Sequence, residues 1–185
     1  MTYVVLFLLG AAGGLVGDQG HVVSGTTTYL DRGVPFVWES ALWFPLLVGG
    51  ATAALGWIRL RLGPAREEGG LRMGAAAVAS VIGLYAVTAV VRDVPLGPAT
   101  ALVTCLAVVI ACVFADGRPA LTCGVLAAVN GTVFEIVLVE VGVAEYAEDI
   151  DALAGVAPWL PALYLAFGVV AARLAELLTT PRPAP

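Results

Sequence analysis

Six apolar stretches, separated by polar or turn-forming segments, account for most of the chain. They run over about Tyr3–Gly17, Ala41–Leu60, Met73–Val91, Pro98–Ala115, Pro119–Val143 and Pro158–Leu178. A helix needs roughly 20 residues to cross the hydrocarbon of a bilayer. Inside hydrocarbon every backbone N–H and C=O must find its partner within the segment, so each stretch is predicted to be a helix. Isolated hydroxyls such as Ser80 and Thr104 can return a hydrogen bond to the preceding turn. The first stretch lacks the basic start and small-residue cleavage site of a signal peptide. It is therefore predicted to be retained as the first crossing.

The connections are unequal. Asp18–Ser40 is a long polar stretch rich in Gly and Thr, Arg61–Arg72 a charged loop broken by Gly63-Pro64 and Gly69-Gly70, and Glu145–Gly155 an acidic loop. Arg92–Gly97 and Asp116–Arg118 read as tight turns, and the Pro-rich tail Thr179–Pro185 as a frayed end. No internal repeat is evident, and there is no room for a separate soluble domain, so residues 1–185 read as one six-helix domain. Arginine placement orients it. With both termini cytoplasmic, the inner segments hold Arg59, Arg61, Arg66, Arg72, Arg118, Arg173 and Arg182, and the outer ones only Arg32 and Arg92. That asymmetry follows the positive-inside rule.

Composition sharpens the class. The chain has 185 residues, 60% hydrophobic and 12% charged, with mean hydropathy +0.96. A soluble domain is about a quarter charged. A soluble enzyme, a disordered chain and a nucleic-acid binder are excluded; the net charge of −5 also opposes phosphate-backbone contacts. All nine basic residues are Arg, which together with abundant Ala, Gly, Val and Leu suggests GC-rich coding and a bacterial source. Cys105, Cys112 and Cys123 lack metal or redox spacing and read as small core residues.

The fifth stretch carries the candidate chemistry. Asn130, Thr132, Glu135 and Glu140 interrupt an otherwise apolar run. Glu135 lies deep in the span, where an ionisable group is costly and usually faces the bundle interior or water. Thr132 and Glu135 are three positions apart and share a face. These residues are candidates for a ligand head group, or for a protonated carboxyl paired with a neighbouring helix. Pro45 reads as a kink inside the second helix and Pro161 as a bend near the start of the sixth. Trp38, Trp43, Trp57, Trp159, Tyr146 and Tyr164 fit an interfacial aromatic belt, although Trp43 and Trp159 could instead wall a pocket. Gly10, Gly13, Gly14, Gly49, Gly50 and Gly56 suit close helix packing and would permit self-association. Asp18, Gln19 and His21 cluster where the first stretch ends, with Asp31 and Glu39 nearby. That is a poor ligand set for zinc, which usually takes three or four well-placed donors. No metal, cofactor or catalytic motif is predicted.

Three motifs together resemble the insulin-induced-gene (Insig) family of six-crossing regulators of sterol metabolism. Trp43-Phe44-Pro45 followed by Gly49, Ala51 and Gly56 is similar to its W-x-P-x-x-x-G-x-A-x-x-x-x-G. Leu138-Val139, Gly142-Val143 and Tyr146 are similar to its L-V-x-x-G-V-x-x-Y, and Trp159-Leu160-Pro161 with Gly168-Val169 to its W-L-P and G-V. The resemblance runs from Ala41 to Leu178 and leaves Asp18–Ser40 unmatched. It implies a bundle with a central cavity, open to lipid, that accepts an amphiphile: an oxysterol in the animal proteins of the endoplasmic reticulum. It also implies that Asp116, in the turn after the fourth helix, contacts a membrane-protein partner. Of the basic residues that follow in the animal proteins, only Arg118 is present.

The predicted protein is thus an all-α, polytopic membrane protein of the bacterial cell membrane. It is predicted to be a non-enzymatic, six-helix bundle that holds a sterol or a neutral glycerolipid such as diacylglycerol. Glu135, Asn130, Thr132, Trp43, Pro45 and Trp159 are its candidate ligand contacts. A small transporter or proton-coupled carrier is the alternative, disfavoured by one deep acid and no visible repeat. A lipid-modifying membrane enzyme lacks a visible catalytic pair.

Overall fold

The computed structural model describes residues 1–30, 33–64 and 69–179. Arg32, Arg66, Arg182, Asp31 and the tail beyond Thr179, all used above, lie outside the described residues. Six helices, each long and apolar enough to cross a membrane, form the bundle: α1 (Thr2–Val23), α2 (Trp43–Arg61), α3 (Leu71–Val90), α4 (Leu96–Phe114), α5 (Gly117–Glu140) and α6 (Leu160–Thr179). The most buried is α6, which packs against each of the other five. Its buried face is rich in small residues, Ala166, Gly168, Ala171, Ala172 and Ala175. Outward faces carry bare aliphatic side chains such as Val108, Val109, Val129 and Val133. Ser80 returns its hydroxyl to the Ala76 carbonyl at 2.8 Å, as its apolar setting requires.

Several boundaries differ from the sequence reading. α1 continues through Asp18, Gln19 and His21, so these are helical positions and not a loop. Pro45 and Pro161 fall in the first turns of α2 and α6, where the missing N–H has no intrahelical partner to lose, rather than in a helix interior where a proline kinks the chain. Cys105 and Cys112 lie on the outer face of α4, and only Cys123 is buried. Trp159 is 1% exposed within the core, whereas Trp38 and Trp57 are exposed as a belt requires.

The polar connections at one end form a small cap. Strand β1 (Thr27–Tyr29) follows α1, then the short hairpin of β2 (Phe36–Val37) and β3 (Ser40–Ala41); β4 (Ala144–Tyr146) follows α5. β1 and β4 pair antiparallel, with Thr28 opposite Glu145. Each is launched by the same device. Gly25 (φ 70°) and Gly142 (φ 72°) follow the ends of α1 and α5, in the left-handed conformation glycine adopts without strain. The N–H of Thr26 reaches the His21 carbonyl and that of Gly25 the Val22 carbonyl; Val143 reaches Leu138 and Gly142 reaches Val139. These are Schellman ends, which satisfy terminal carbonyls while reversing the chain. Arg92, in the α3–α4 turn, donates to the Gly25 carbonyl at 3.3 Å and to Asp149 at 2.7 Å, tying the cap together. The same hydrogen bond holds the Asp149 carboxyl below its usual range.

The shared device marks an internal repeat that the sequence reading missed. Asp18 to Tyr29 and Glu135 to Tyr146 span eleven positions each, with the Schellman glycine in the same place between them. Trp43-x-Pro45 and Trp159-x-Pro161 open the partner helices α2 and α6. Packing follows the same steps. Gly14 is pressed by Val48, as its equivalent Gly131 is pressed by Tyr164. Gly10 admits Thr52, while at the matching contact Gly168 admits Ala127. Gly49 lies under the Phe7 carbonyl, while Gly124 lies under that of Leu165. The small residue changes helix; the close approach does not. A local two-fold axis, parallel to the helices and passing through the Thr28–Glu145 pair, relates α1–β1–α2 to α5–β4–α6.

This packing makes glycine substitutions position-dependent. A Cβ on Gly168 would lie 2.5 Å from the Cys123 carbonyl oxygen, whereas one on Gly50 would meet nothing within 4 Å. Gly168→Val is expected to destabilise the bundle by about 1–3 kcal/mol through overpacking. Gly50→Ala should hold or slightly raise stability. Thermal unfolding in detergent checks both; equal melting temperatures would contradict the packing.

Candidate functional site: a central cavity bounded by buried carboxyls

A cavity of about 320 Å³ lies between α2, α5 and α6, with Tyr85 of α3 at its back. Phe44, Val48, Ala51 and Leu55 line one wall, Ala127 and Gly131 the other, and Phe167 the floor. Its rim residues, Leu47 and Ala54 on α2 and Leu126, Asn130 and Phe134 on α5, are exposed on the flank of the bundle. The opening therefore faces the hydrocarbon. Polar groups are few: Asn130 at the rim and Glu135, Tyr85 and Tyr164 toward the cap. Asn130 donates to the Leu126 carbonyl at 2.7 Å, the usual local solution for an amide in an apolar helix.

Glu135 is 7% exposed. Tyr164 donates to its Oε1 at 2.7 Å, and Tyr146, coming down from β4, donates to its Oε2 at 3.3 Å. Asp18 is the counterpart on α1: buried, it accepts from Tyr29 of β1 at 2.7 Å. A second cavity of about 20 Å³, room for one water, is bordered by both carboxyls and by Tyr29, Tyr146 and Trp43. Glu135 thus forms part of the partition between the large cavity and the cap. Burial, and then Asp18, pushes the Tyr29 phenol above its ordinary range. Burial, and then Glu135, does the same to Tyr146. Both therefore remain hydrogen-bond donors. Beside them, His21 Nε2 lies 2.6 Å from the Thr88 hydroxyl. That hydroxyl donates its proton to the Tyr85 carbonyl at 2.7 Å, so the histidine nitrogen is the donor between the two.

A smaller cavity of about 50 Å³ lies between α1, α2, α3 and α6. It is the repeat's counterpart of the large one. Leu9, Gly10, Gly13 and Gly14 of α1 stand where Leu126, Ala127, Asn130 and Gly131 stand on α5. Phe167, Val170, Ala171 and Leu174 of α6 stand where Ala51, Ala54, Leu55 and Ile58 stand on α2. Val78, Val81 and Ile82 of α3 close in on this copy and reduce it. Val48, Tyr85 and Phe167 border both cavities.

Of the residues singled out by sequence, Glu135 and Asn130 line the large cavity and Trp43 lines the cap cavity. Pro45 and Thr132 are buried outside the described linings, Thr132 with its hydroxyl unpartnered. Trp159 packs in the apolar core with Ile150 and Leu163. Asp18, Tyr29, Tyr85, Tyr146 and Tyr164 were missed as site residues. The repeated carboxyl–glycine–tyrosine spacing could have found three of them.

At the other end of the bundle, Asp116 borders a cavity of about 190 Å³ with Arg173, Met73 and Phe114. Beneath it Arg59 and Arg173 both pair with Glu176, the latter at 2.7 Å, and Arg59 also donates to the Gly63 and Pro64 carbonyls. Among the described residues no three His, Cys, Asp or Glu side chains converge as a metal site.

No family model matches the chain. A curated relative described as an INSIG protein homolog, from Mycolicibacterium vanbaalenii, is 52% identical over 180 residues, covering 97% of this chain and 88% of the relative. The chain belongs to the Insig family. The crystal structure of a mycobacterial Insig homolog from Mycobacterium vanbaalenii matches with a TM-score of 0.95 at 51% identity, over 100% of this chain and 97% of that one. A cross-linked trimer of that homolog matches equally, at 50% identity. This Insig homologue is accordingly an integral, multi-pass membrane protein with the family's six-helix bundle. Its family motifs gain physical meaning. Leu138-Val139, Gly142-Val143 and Tyr146 are the carbonyls, turn and tyrosine that return a phenol to Glu135. The two W-x-P motifs start α2 and α6.

The Arg59–Glu176–Arg173 group is nearly fully buried. Removing its acid leaves two guanidinium groups without their carboxylate. Glu176→Leu is expected to cost about 3–5 kcal/mol, seen as a large fall in melting temperature. An unchanged melting temperature would contradict this account of the triad.

Proposed function

We propose that this Insig homologue binds a neutral lipid bearing a hydroxyl, non-covalently and without turning it over, in the central cavity. The observation that carries the reading is Glu135: a buried carboxyl at the polar end of an otherwise apolar cavity whose rim is open to hydrocarbon. Against lipid tails, apolar contacts alone discriminate poorly. Selectivity then rests on shape and on the few polar groups. A carboxyl with phenol neighbours accepts a hydroxyl, and with no cation paired to it offers nothing to a phosphate. The second cavity favours a two-chain glycerolipid such as diacylglycerol over a rigid sterol. Val48, Tyr85 and Phe167 stand between the two spaces, and their rotation would join them.

Lipid retained after gentle purification, measured by mass spectrometry, tests this. Glu135→Leu is expected to lower bound neutral lipid about tenfold, the equivalent of one hydrogen bond of about 1.4 kcal/mol, in a protein that still runs as a single folded species. Equal lipid in parent and variant would overturn the assignment, and a sterol as the retained species would overturn the two-chain preference.

The internal repeat favours a second reading, a small carrier, since some transporters are built from parallel repeats about an axis along the membrane normal. Solute flux in liposomes that depends on Glu135 would favour it over passive lipid binding. For partners, the reading takes the face around Asp116 as the contact for a membrane protein. The cross-linked trimer of the mycobacterial homolog supports self-association.

The same reading places both termini and the Arg-rich end in the cytoplasm, with the strand cap outside. Reporter fusions at the two ends should both be cytoplasmic. Reporters on opposite sides, or both outside, would contradict this orientation.

A further inference from the structure

Asp18 and Glu135 are equivalent positions of the repeat, brought together beside its axis. They border one cavity the size of a single water molecule. Neither enters an ion pair among the described residues. Phenols donate to each, Tyr29 to Asp18, and Tyr146 and Tyr164 to Glu135, and the Ser40 hydroxyl of β3 lies beside Asp18. Two of these phenols belong to the cap strands, so the carboxyls are also what the cap holds on to. Among the described residues, the titratable groups facing the pair are Asp18 and His21 from α1, Tyr29 from β1, Tyr85 from α3, Glu135 from α5, Tyr146 from β4 and Tyr164 from α6. The Arg92 guanidinium, at the same end of the bundle, is engaged outside, with Asp149 and the Gly25 carbonyl. The one base in the set, His21, faces Thr88 and the Tyr85 ring rather than a carboxylate.

Two carboxylates sharing a low-dielectric site with no cation cannot both ionise cheaply. We propose that Asp18 and Glu135 hold one proton between them, and that this shared proton latches the β1–β4 cap onto the bundle. Loss of the proton leaves two like charges facing each other on α1 and α5. The ends of those helices separate or admit water, and the cap strands they launch lose their anchors. The latched state binds one more proton than the loosened one, so latching is complete at low pH and is lost as pH rises. The cap stands between Glu135 and the aqueous phase at that end. The latch therefore governs access to the central cavity from that side, whichever lipid the cavity holds.

The test uses the full chain in lipid nanodiscs with two readouts. One is the infrared band of protonated carboxyls. The other is hydrogen exchange, corrected for intrinsic rates, at the amides of Leu30 and Ala147, which bridge the two strands to Val143 and Thr26. From about pH 6 to about pH 9 the carboxyl band should vanish and protection at both amides should fall at least tenfold, as in local opening. Asp18→Asn and Glu135→Gln, which leave a single acid, should each keep the protection at the higher pH. His21→Gln should leave the transition in place. No protonated band at the lower pH, equal protection at both, or a transition abolished by His21→Gln and kept in Asp18→Asn would overturn the latch. Neither readout needs bound lipid. A lipid-free protein with a pH-dependent cap sinks only the lipid reading, and a lipid-loaded protein with an indifferent cap sinks only this one.

Discussion

A carboxyl buried in a membrane bundle must be satisfied from within, because hydrocarbon supplies no donor. That constraint organises the cap end of this protein. Glu135 and Asp18 are met by hydroxyl donors delivered from three separate elements. Two of those donors sit on strands that exist only because α1 and α5 end in glycine-dependent reversals. The cap is therefore more than a loop that happens to be ordered. It delivers phenols to buried acids, and its strands pair because the two deliveries are related by a local two-fold axis.

The same axis accounts for the interior. α1–α2 and α5–α6 approach so closely that a side chain on one helix faces a bare glycine on the other at each matching step. Without water to drive association, such backbone proximity is the main source of cohesion between helices in a membrane. The repeat would enclose two equal cavities, but α3 presses Val78, Val81 and Ile82 against one and leaves the other at about 320 Å³. The asymmetry that leaves one of the two cavities large thus comes from α3, outside the repeat. The opposite end is held differently, by a buried acid between two arginines that also anchors the turn after α2.

Much of this was legible in the chain. Apolar run lengths fixed six helices, since hydrocarbon leaves the backbone no other pairing. Glu135 stood out because it interrupts such a run. Three family motifs in the chain already resemble those of Insig. What stayed hidden depended on tertiary proximity. Asp18 and His21 read as a loop because a polar cluster after an apolar run looks like an exit from the membrane, yet both lie on a helix whose end is roofed by the cap. Tyr146 and Tyr164 read as belt residues because a phenol near a span end is usually interfacial; each instead bonds a carboxyl. Trp159 failed as a belt residue for a related reason: the helix it precedes lies at the centre of the bundle. The repeat escaped notice because it conserves contacts while exchanging which helix carries the glycine.

The proposal that ties these parts together is that the large cavity shelters an amphiphile whose hydroxyl meets Glu135. An experimental map of the purified protein in native lipid, at a resolution that separates side chains from acyl chains, tests it most directly. The account predicts elongated density entering between α2 and α5 and ending within hydrogen-bonding distance of the Glu135 carboxyl. A middle filled solidly by Phe44, Tyr85, Tyr164 and Phe167, with Glu135 contacting only its tyrosines and no guest inside, would contradict it.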